Sequence, residues 1–137
     1  MNYSFDTNAC IALINGSPLR VRQRLARAAA DRATALVVSS VVVFELWYGA
    51  AKSARVEANR RRLQTFLSGP LSTVEFDADD AAESGEIRAQ LERAGTPIGA
   101  YDLLIGGQAR RRGFTLVTAN VSEFARVEGL VWEDWAS

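Results

Sequence analysis

Histidine is absent from this chain of 137 residues, and cysteine occurs once, at Cys10. Without histidine there can be no Ser-His-Asp or Cys-His catalysis and no histidine-ligated zinc. A lone cysteine forms neither an internal disulfide nor a thiolate cluster, so we expect a reducing, cytoplasmic location. Polar chemistry must therefore come from carboxylates, amides, hydroxyls and arginine.

Long apolar runs and an excess of charge are missing as well. The longest apolar stretch, 36–51, is interrupted by two serines and Glu45 and is too short to span a bilayer. The first residues lack the pattern of a signal peptide. With 16 Lys+Arg and 16 Asp+Glu, no net charge draws the chain to nucleic acid or to a membrane. We expect no membrane partner, and the length suits one domain over residues 1–137.

Strand and helix patterns alternate along the chain. The predicted strands are 2–6, 34–38, 71–76, 114–118 and, at the edge, 130–132, with a short turn at 120–124. The predicted helices are 9–15, 19–31, 41–53, 54–67, 77–94 and 100–112. This alternation predicts an α/β fold with a central parallel sheet of about five strands and helices on both faces. Ligands of such sheets bind beyond the carboxyl ends of the strands.

One predicted helix, 77–94, has small residues at three- and four-residue spacing. A stripe of this kind permits close packing against a sheet, so we expect it to face inward. Its members are Ala78, Ala82, Gly85 and Ala89.

Three carboxylates lack a basic neighbour three or four residues away, where helical ion pairs form. Asp6 follows the first strand, whereas Glu45 and Asp102 lie in apolar helical segments. Each has an ordinary explanation: Asp6 as a helix cap, Asp102 as a first-turn partner of the helix dipole, and Glu45 as an exposed or distantly paired acid. Three such groups together are costly to bury unless something pairs them.

Convergence of these carboxylates would favour a divalent cation. Like charges in close proximity raise one another's pKa, and a metal ion removes that repulsion. Without histidine or a thiolate cluster the ligands are hard oxygens, which suit Mg²⁺, with Mn²⁺ as a substitute. Such an ion polarises a phosphoryl oxygen and lowers the pKa of bound water. The residue inventory therefore best supports metal-dependent hydrolysis of phosphodiesters.

Four segments carry a resemblance to a known family. They are Phe5-Asp6-Thr7-Asn8, Phe44-Glu45-Leu46 with Gly49-Ala50, Pro97-Ile98-Gly99 leading to Asp102-Leu103-Leu104-Ile105, and Leu116-Val117-Thr118-Ala119-Asn120 followed by Glu123-Phe124. In this order and spacing the chain resembles the PIN-domain ribonucleases, specifically VapC-type toxins of bacterial toxin–antitoxin pairs. The resemblance covers essentially the whole chain.

This resemblance implies a magnesium-dependent endoribonuclease that acts on tRNA or another structured RNA. It also implies a homodimer and a cognate antitoxin whose tail enters an acidic groove. By position, Asp6, Glu45 and Asp102 match the acidic triad of the family and are its implied metal ligands and catalytic residues. Asn120 stands where many members have a fourth acid, so we count it among the catalytic positions and expect one firmly bound ion. Asn120 and Thr118 are expected to position water or the scissile phosphate.

Basic residues form two local groups. Arg20, Arg24 and Arg27 fall on one face of a predicted helix, and 60–62 is a run of three arginines. They are either solvated helix faces or a phosphate track beside the acidic pocket, since backbone contacts dominate affinity for nucleic acids.

Two other function classes stay open. A haloacid-dehalogenase-like phosphatase also begins with a strand that ends in Asp, but it requires a second Asp where this chain has Asn8, and a lysine that Lys52 is badly placed to supply. A catalytically degenerate PIN module would act as a binding protein, although retention of all three acids argues against it.

Overall fold

The computed structural model describes residues 1–137, in which five strands and seven helices alternate. In chain order they are β1 Asn2–Phe5, α1 Thr7–Asn15, α2 Leu19–Ala29, β2 Ala35–Ser39, α3 Ser40–Ala51, α4 Val56–Leu67, β3 Ser72–Val74, α5 Ala78–Arg93, α6 Ala100–Arg112, β4 Thr115–Val117, α7 Val121–Phe124 and β5 Trp132–Glu133. No helix combines the length and the apolarity needed to cross a bilayer.

All strands are parallel and form one sheet in the order β3-β2-β1-β4-β5. The chain moves outward from β1 to β2 and β3, then crosses to the other side of β1 for β4 and β5. The strand order thus reverses next to β1, and clefts form at the carboxyl ends of strands at such a switch point. This confirms the predicted α/β fold with a five-stranded parallel sheet flanked by helices.

Most residues of the central strands are buried because helices cover the sheet, including the polar residues Ser4, Ser39 and Thr115. Phe5, Val38 and Leu116 are fully buried and belong to one hydrophobic core. Trp135 closes the core from the C-terminal end, with its ring edge-on to Tyr3 and Phe5 at centroid distances of 5.1 and 5.2 Å. The core fixes the carboxyl ends of β1, β2 and β4 relative to one another.

Two expectations about local packing are wrong. The edge strand is Trp132–Glu133 rather than 130–132, because Leu130 turns into the core and the ladder with β4 continues through the carbonyl of Glu133. The small-residue stripe of α5 does not face inward. The buried residues of that helix are instead Asp80, Ser84, Ile87 and Leu91.

Close contact between α5 and α6 depends on a different glycine. A Cβ built on Gly107 of α6 would lie 2.1 Å from the Ser84 hydroxyl, whereas a Cβ on Gly85 would meet no atom within 4 Å. A stripe of small residues in the sequence therefore does not show which of two packed helices provides the space for their close approach.

Asp80 is the most enclosed carboxylate in the molecule, with a side chain that is 0% exposed. Arg112 donates to it at 2.8 Å, Arg111 at 2.9 Å and Gln108 at 3.0 Å. Burial alone would raise the pKa of Asp80, but these donors and the Asp77 N–H outweigh it and hold the pKa well below the ordinary value. The cluster joins the start of α5 to the end of α6.

Candidate active site

Asp6 is placed at the switch point by both the sheet and a helix. It is 3% exposed and caps α1, with its Oδ1 accepting from the Ala9 N–H at 2.8 Å. Its Oδ2 accepts a hydrogen bond of 2.5 Å from the Thr118 hydroxyl, just beyond the neighbouring strand β4. The expected capping role is confirmed, and the cap and the Thr118 hydroxyl each hold one of the two carboxylate oxygens.

Glu45 lies on the other side of β1, on the helix that follows β2. Ser39 ends β2 and caps α3, so Glu45 lies in the second turn of a helix that starts at the same sheet edge. The Thr7 hydroxyl donates to its Oε1 at 2.6 Å. Since Thr7 directly follows Asp6, this bond ties the two carboxylates to the same turn of chain.

Asp102 and Glu123 form the opposite wall. Asp102 lies in the first turn of α6, and its Oδ2 accepts from the Asn120 Nδ2 at 3.3 Å. The same amide nitrogen donates to the Glu123 Oε2 at 2.7 Å. The backbone N–H of Asn120 donates to the Thr118 hydroxyl at 2.9 Å, which links this wall to Asp6. We call Asp6, Glu45, Asp102 and Glu123 the acidic centre.

The acidic centre has no ion-pair partner, and Arg126 acts on Glu123 only through its more distant charge. None of the ion pairs in the structure includes a member of it. Burial, hydrogen bonding with Glu123 and the charges of Glu123, Asp6 and Glu45 raise the pKa of Asp102 to about 7. Burial also raises the pKa of Asp6, against the opposing hydrogen bonds from Thr118 and Ala9. Carboxyl pKa values raised by burial and by neighbouring charges cluster at functional sites.

The pKa of Glu123 moves the other way. Hydrogen bonds from Asp102 and Asn120, followed by one from the Gly99 backbone, lower it. Of this pair, Asp102 is therefore the carboxyl that takes up a proton first as the pH falls. As the side chains stand, no three acidic groups lie close enough together to form a complete metal-ion cage.

Glu123 and Thr7 are the members of this arrangement that sequence reasoning missed. Glu123 belongs to one of the quoted motifs and lies three residues after Asn120, a spacing that puts both on one face of a helical turn. That spacing was the available signal. Thr118 and Asn120 were expected to position water or the scissile phosphate. In the structure the Thr118 hydroxyl and the Asn120 amide instead donate hydrogen bonds to carboxylates.

The three arginines predicted to form a stripe on α2 have different contacts. Arg24 donates to Glu133 at 3.3 Å and lies over the Trp135 ring at 5.3 Å, so it helps to hold the C-terminal strand. Arg20 and Arg27 are exposed and form no ion pair. The RNA-binding role of Arg20, Arg24 and Arg27 stays a prediction.

Comparisons with known proteins agree with this geometry. The family model described as PIN domain matches residues 3–130. The chain is 38% identical to the tRNA(fMet)-specific endonuclease VapC of Salmonella typhimurium, covering 98% of each chain, and 40% identical to ribonuclease VapC2 of Rickettsia felis, with the same coverage.

Solved structures give the same answer. The crystal structure of VapBC2 from Rickettsia felis bound to a promoter DNA fragment superposes with a TM-score of 0.91 at 38% identity, covering 98% of this chain and 99% of that chain. DNA-bound VapBC from Salmonella typhimurium gives 0.89 at 38% identity, covering 98% of both chains. The chain therefore belongs to the PIN-domain family, and within it to the VapC ribonucleases of toxin–antitoxin systems.

Proposed function

We propose that the protein is a magnesium-dependent endoribonuclease that hydrolyses phosphodiester bonds in structured RNA, with tRNA as its substrate class. The observation that carries this proposal is the acidic centre, whose carboxylates lie near enough at the switch point to raise the pKa of Asp102 and form no ion pair with a basic side chain. The relative from Salmonella typhimurium is named for a tRNA, which supports tRNA as the substrate here. The reaction would take place in the cytoplasm, where that RNA is found.

The residues of the centre fit a hard divalent cation. Their donors are all oxygens, none of them forms an ion pair, and burial together with repulsion from the other carboxylates raises the pKa of Asp102 to about 7. Asp6, Glu45 and Asp102 would hold Mg²⁺ or Mn²⁺, and Glu123 adds a fourth carboxylate on the Asp102 side. A bound divalent ion polarises a phosphoryl oxygen and lowers the pKa of coordinated water.

The chain itself supplies orientation and a proton acceptor. The Ala9 N–H and the Thr118 hydroxyl fix Asp6, and Asn120 fixes the Asp102–Glu123 pair. Thr7 occupies Oε1 of Glu45, which leaves Oε2 either to hold the ion or to orient a water molecule and take its proton. As the water oxygen bonds to phosphorus, one phosphorus–oxygen bond to ribose breaks and the released oxygen takes up a proton.

An antitoxin partner and a homodimer complete the proposal. The solved relatives from Rickettsia felis and Salmonella typhimurium are VapBC complexes, and an uncompensated acidic groove complements a basic antitoxin tail. Phe44 and Tyr101 are 53% and 48% exposed and lie 5.7 Å apart between ring centroids. An exposed aromatic pair of this kind suits the centre of a contact between two copies.

The decisive experiment compares carboxylate variants in an RNA cleavage assay. Asp6→Asn and Asp102→Asn should abolish cleavage of bulk tRNA in Mg²⁺, and EDTA should do the same to the unmodified protein. Asn is also a good helix cap, so Asp6→Asn should keep its fold by circular dichroism. Asp79→Asn, an exposed acid on α5, is the matched control and should cleave normally. Full activity of a folded Asp6→Asn protein would refute the proposed role of that residue.

A metal titration without substrate provides an independent check. Because the ion would bind only the folded state, Mn²⁺ at 100 times its dissociation constant should stabilise the fold by about 2.7 kcal/mol. The melting temperature of Asp102→Asn should respond much less. An unchanged melting temperature across millimolar Mg²⁺ and Mn²⁺ would count against the metal site. Hydrolysis of p-nitrophenyl phosphate with no cleavage of RNA would favour the phosphatase alternative.

A further inference from the structure

Arg126 is the only basic residue after Arg112, and it follows Glu123 of the acidic centre by three residues. Its backbone N–H donates to the Glu123 carbonyl at 3.0 Å, so the helical turn that begins with α7 continues as far as Arg126. Residues three apart in such a turn lie on the same face. A cation therefore borders the wall of the centre that Asp102 and Glu123 form.

The Arg126 guanidinium is held in place without an acidic partner. Its Nη1 donates to the Pro97 carbonyl at 2.8 Å, in the connection that leads into α6. Glu123 is close enough along the turn to form an ion pair, but it bonds to the Asn120 amide and the Gly99 backbone instead. Arg126 belongs to no ion pair, and its Nε and Nη2 donate to no other group of the protein.

Most arginines in the same half of the chain are paired with acids. Residues 71–137 contain six arginines. The four that form ion pairs are Arg88, Arg110, Arg111 and Arg112. Of the two others, Arg93 ends α5, which contributes no residue to the acidic centre, whereas Arg126 lies beside the centre.

The free donors of Arg126 suit a phosphate group. Nε and Nη2 lie on one edge of the planar guanidinium and can bind two oxygens of the same phosphate in parallel. Four carboxylates repel an approaching polyanion, and a cation one turn away offsets part of that repulsion. The same cation would repel the basic tail expected of an antitoxin, so the charge here favours RNA over that peptide.

We propose that Arg126 binds a backbone phosphate of the RNA next to the scissile phosphate, on the Asp102–Glu123 side of the acidic centre. This inference rests on the proposed ribonuclease function. The Pro97 carbonyl fixes the guanidinium, and Nε and Nη2 bind the phosphate oxygens. Arg126 takes part in no bond-breaking step, so its loss should affect the binding of RNA more than the chemical step.

Arg126→Gln removes the charge while keeping a donor for the Pro97 carbonyl. It should raise KM for bulk tRNA about tenfold, with a smaller change in kcat, because a charge-assisted contact is lost. The salt dependence of tRNA binding should fall by about one phosphate contact. The matched control is Arg93→Gln, which removes the same charge from an exposed arginine and should leave KM close to that of the unmodified protein. Equal changes in KM for the two variants would contradict the proposal.

Arg126→Lys separates the charge from the contact with Pro97. Lysine keeps the charge without the fork of donors, so this variant should recover most of the salt dependence that Arg126→Gln loses. If Arg126 only held the connection 94–99 in place, its substitution would displace Asp102 and lower kcat. A fall in kcat with unchanged KM, or a smaller stabilisation of Arg126→Gln than of the unmodified protein by Mn²⁺, would therefore overturn the proposal.

A binding measurement in EDTA separates this inference from the nuclease function. Bulk tRNA is titrated at low salt with the unmodified protein, Arg126→Gln and Arg93→Gln, and fluorescence anisotropy reports binding. Weaker binding by Arg126→Gln than by Arg93→Gln would support the phosphate contact even if no RNA were cleaved. Equal binding by the two variants, or no binding by any of the three proteins, would overturn it even if RNA were cleaved in Mg²⁺. A change of oligomeric state confined to Arg126→Gln, measured by light scattering, would assign Arg126 to a contact between copies and overturn the proposal as well.

Discussion

Replacement of Asp80 by asparagine tests the main polar connection between α5 and α6. The side chain keeps its size but loses the charge that Arg111 and Arg112 bind at 2.9 and 2.8 Å. Breaking a fully buried ion pair costs about 3–5 kcal/mol. Because both guanidinium groups keep partial contact with water, we expect a loss of about 3 kcal/mol in the free energy of unfolding. For a chain of this length that corresponds to roughly 10 °C in melting temperature.

The pKa of Asp80 also predicts the direction in which stability changes with pH. The pKa of Asp80 is lower in the folded than in the unfolded chain, because the arginines bind its ionised form. Its contribution is therefore complete above the unfolded carboxyl pKa, near 3.9, and is lost progressively as the pH falls toward the folded value. The unmodified protein should lose stability on acidification below about pH 4. Asp80→Asn should show a shallower loss over the same range.

Urea unfolding at several pH values, followed by circular dichroism, measures both effects. The control is Asp79→Asn, whose side chain is 78% exposed and has a single arginine contact at 3.2 Å. An exposed pair of this kind contributes at most about 1 kcal/mol. If Asp80→Asn cost no more than the control, or if both acid profiles fell in parallel, the reasoning about Asp80 would be refuted.

Three further predictions concern packing and assembly. Gly107→Ala should lower the free energy of unfolding by about 2 kcal/mol, because its Cβ would overlap Ser84, whereas Gly85→Ala should leave it unchanged or raise it by up to about 1 kcal/mol in the same urea titration. Trp135→Ala should cost about 3–5 kcal/mol by thermal unfolding, since the ring is 2% exposed and packs on two aromatic rings of β1. If the protein forms the proposed homodimer, Phe44→Glu should convert it into a monomer by light scattering; a variant that stays dimeric would exclude this surface as the contact.

The fold could be predicted from the sequence because the strands are short and each of β1 to β4 is followed by a helical segment. Gly113 adopts a left-handed conformation at the end of α6, and the predicted and observed bounds of that helix coincide at residues 100–112. The edge strand was misplaced because Val131 is exposed and Leu130 is buried for a reason outside the strand pattern. Some buried apolar residues belong to turns and others to strands. Hydrophobicity alone cannot tell these two cases apart.

The candidate site was predictable only in part. The sequence shows that Asp6, Glu45 and Asp102 have no basic residue three or four positions away. None of these acids has an ion-pair partner in the structure either. For Glu123 the sequence offered only its spacing from Asn120, because its place in the centre depends on contacts with the Asn120 amide and the Gly99 backbone. Such contacts join segments that are distant along the chain or lie in irregular turns.

The choice of hydrogen-bond donors explains how the acidic centre is held in the folded protein without a lysine or arginine among its carboxylates. A lysine or arginine among these carboxylates would stabilise the apoprotein, but it would also cancel the charge that a metal ion needs. The chain uses neutral donors instead: the hydroxyls of Thr7 and Thr118, the Ala9 N–H and the Asn120 amide. Neutral donors fix the carboxylates while leaving their net charge in place, and an acid at position 120 would remove the donor that holds Asp102 and Glu123 together. Asn120→Asp should therefore bind Mn²⁺ no more tightly than the unmodified protein in a thermal-shift titration, despite its additional charge. Tighter binding by Asn120→Asp would show that charge, rather than orientation, limits the centre.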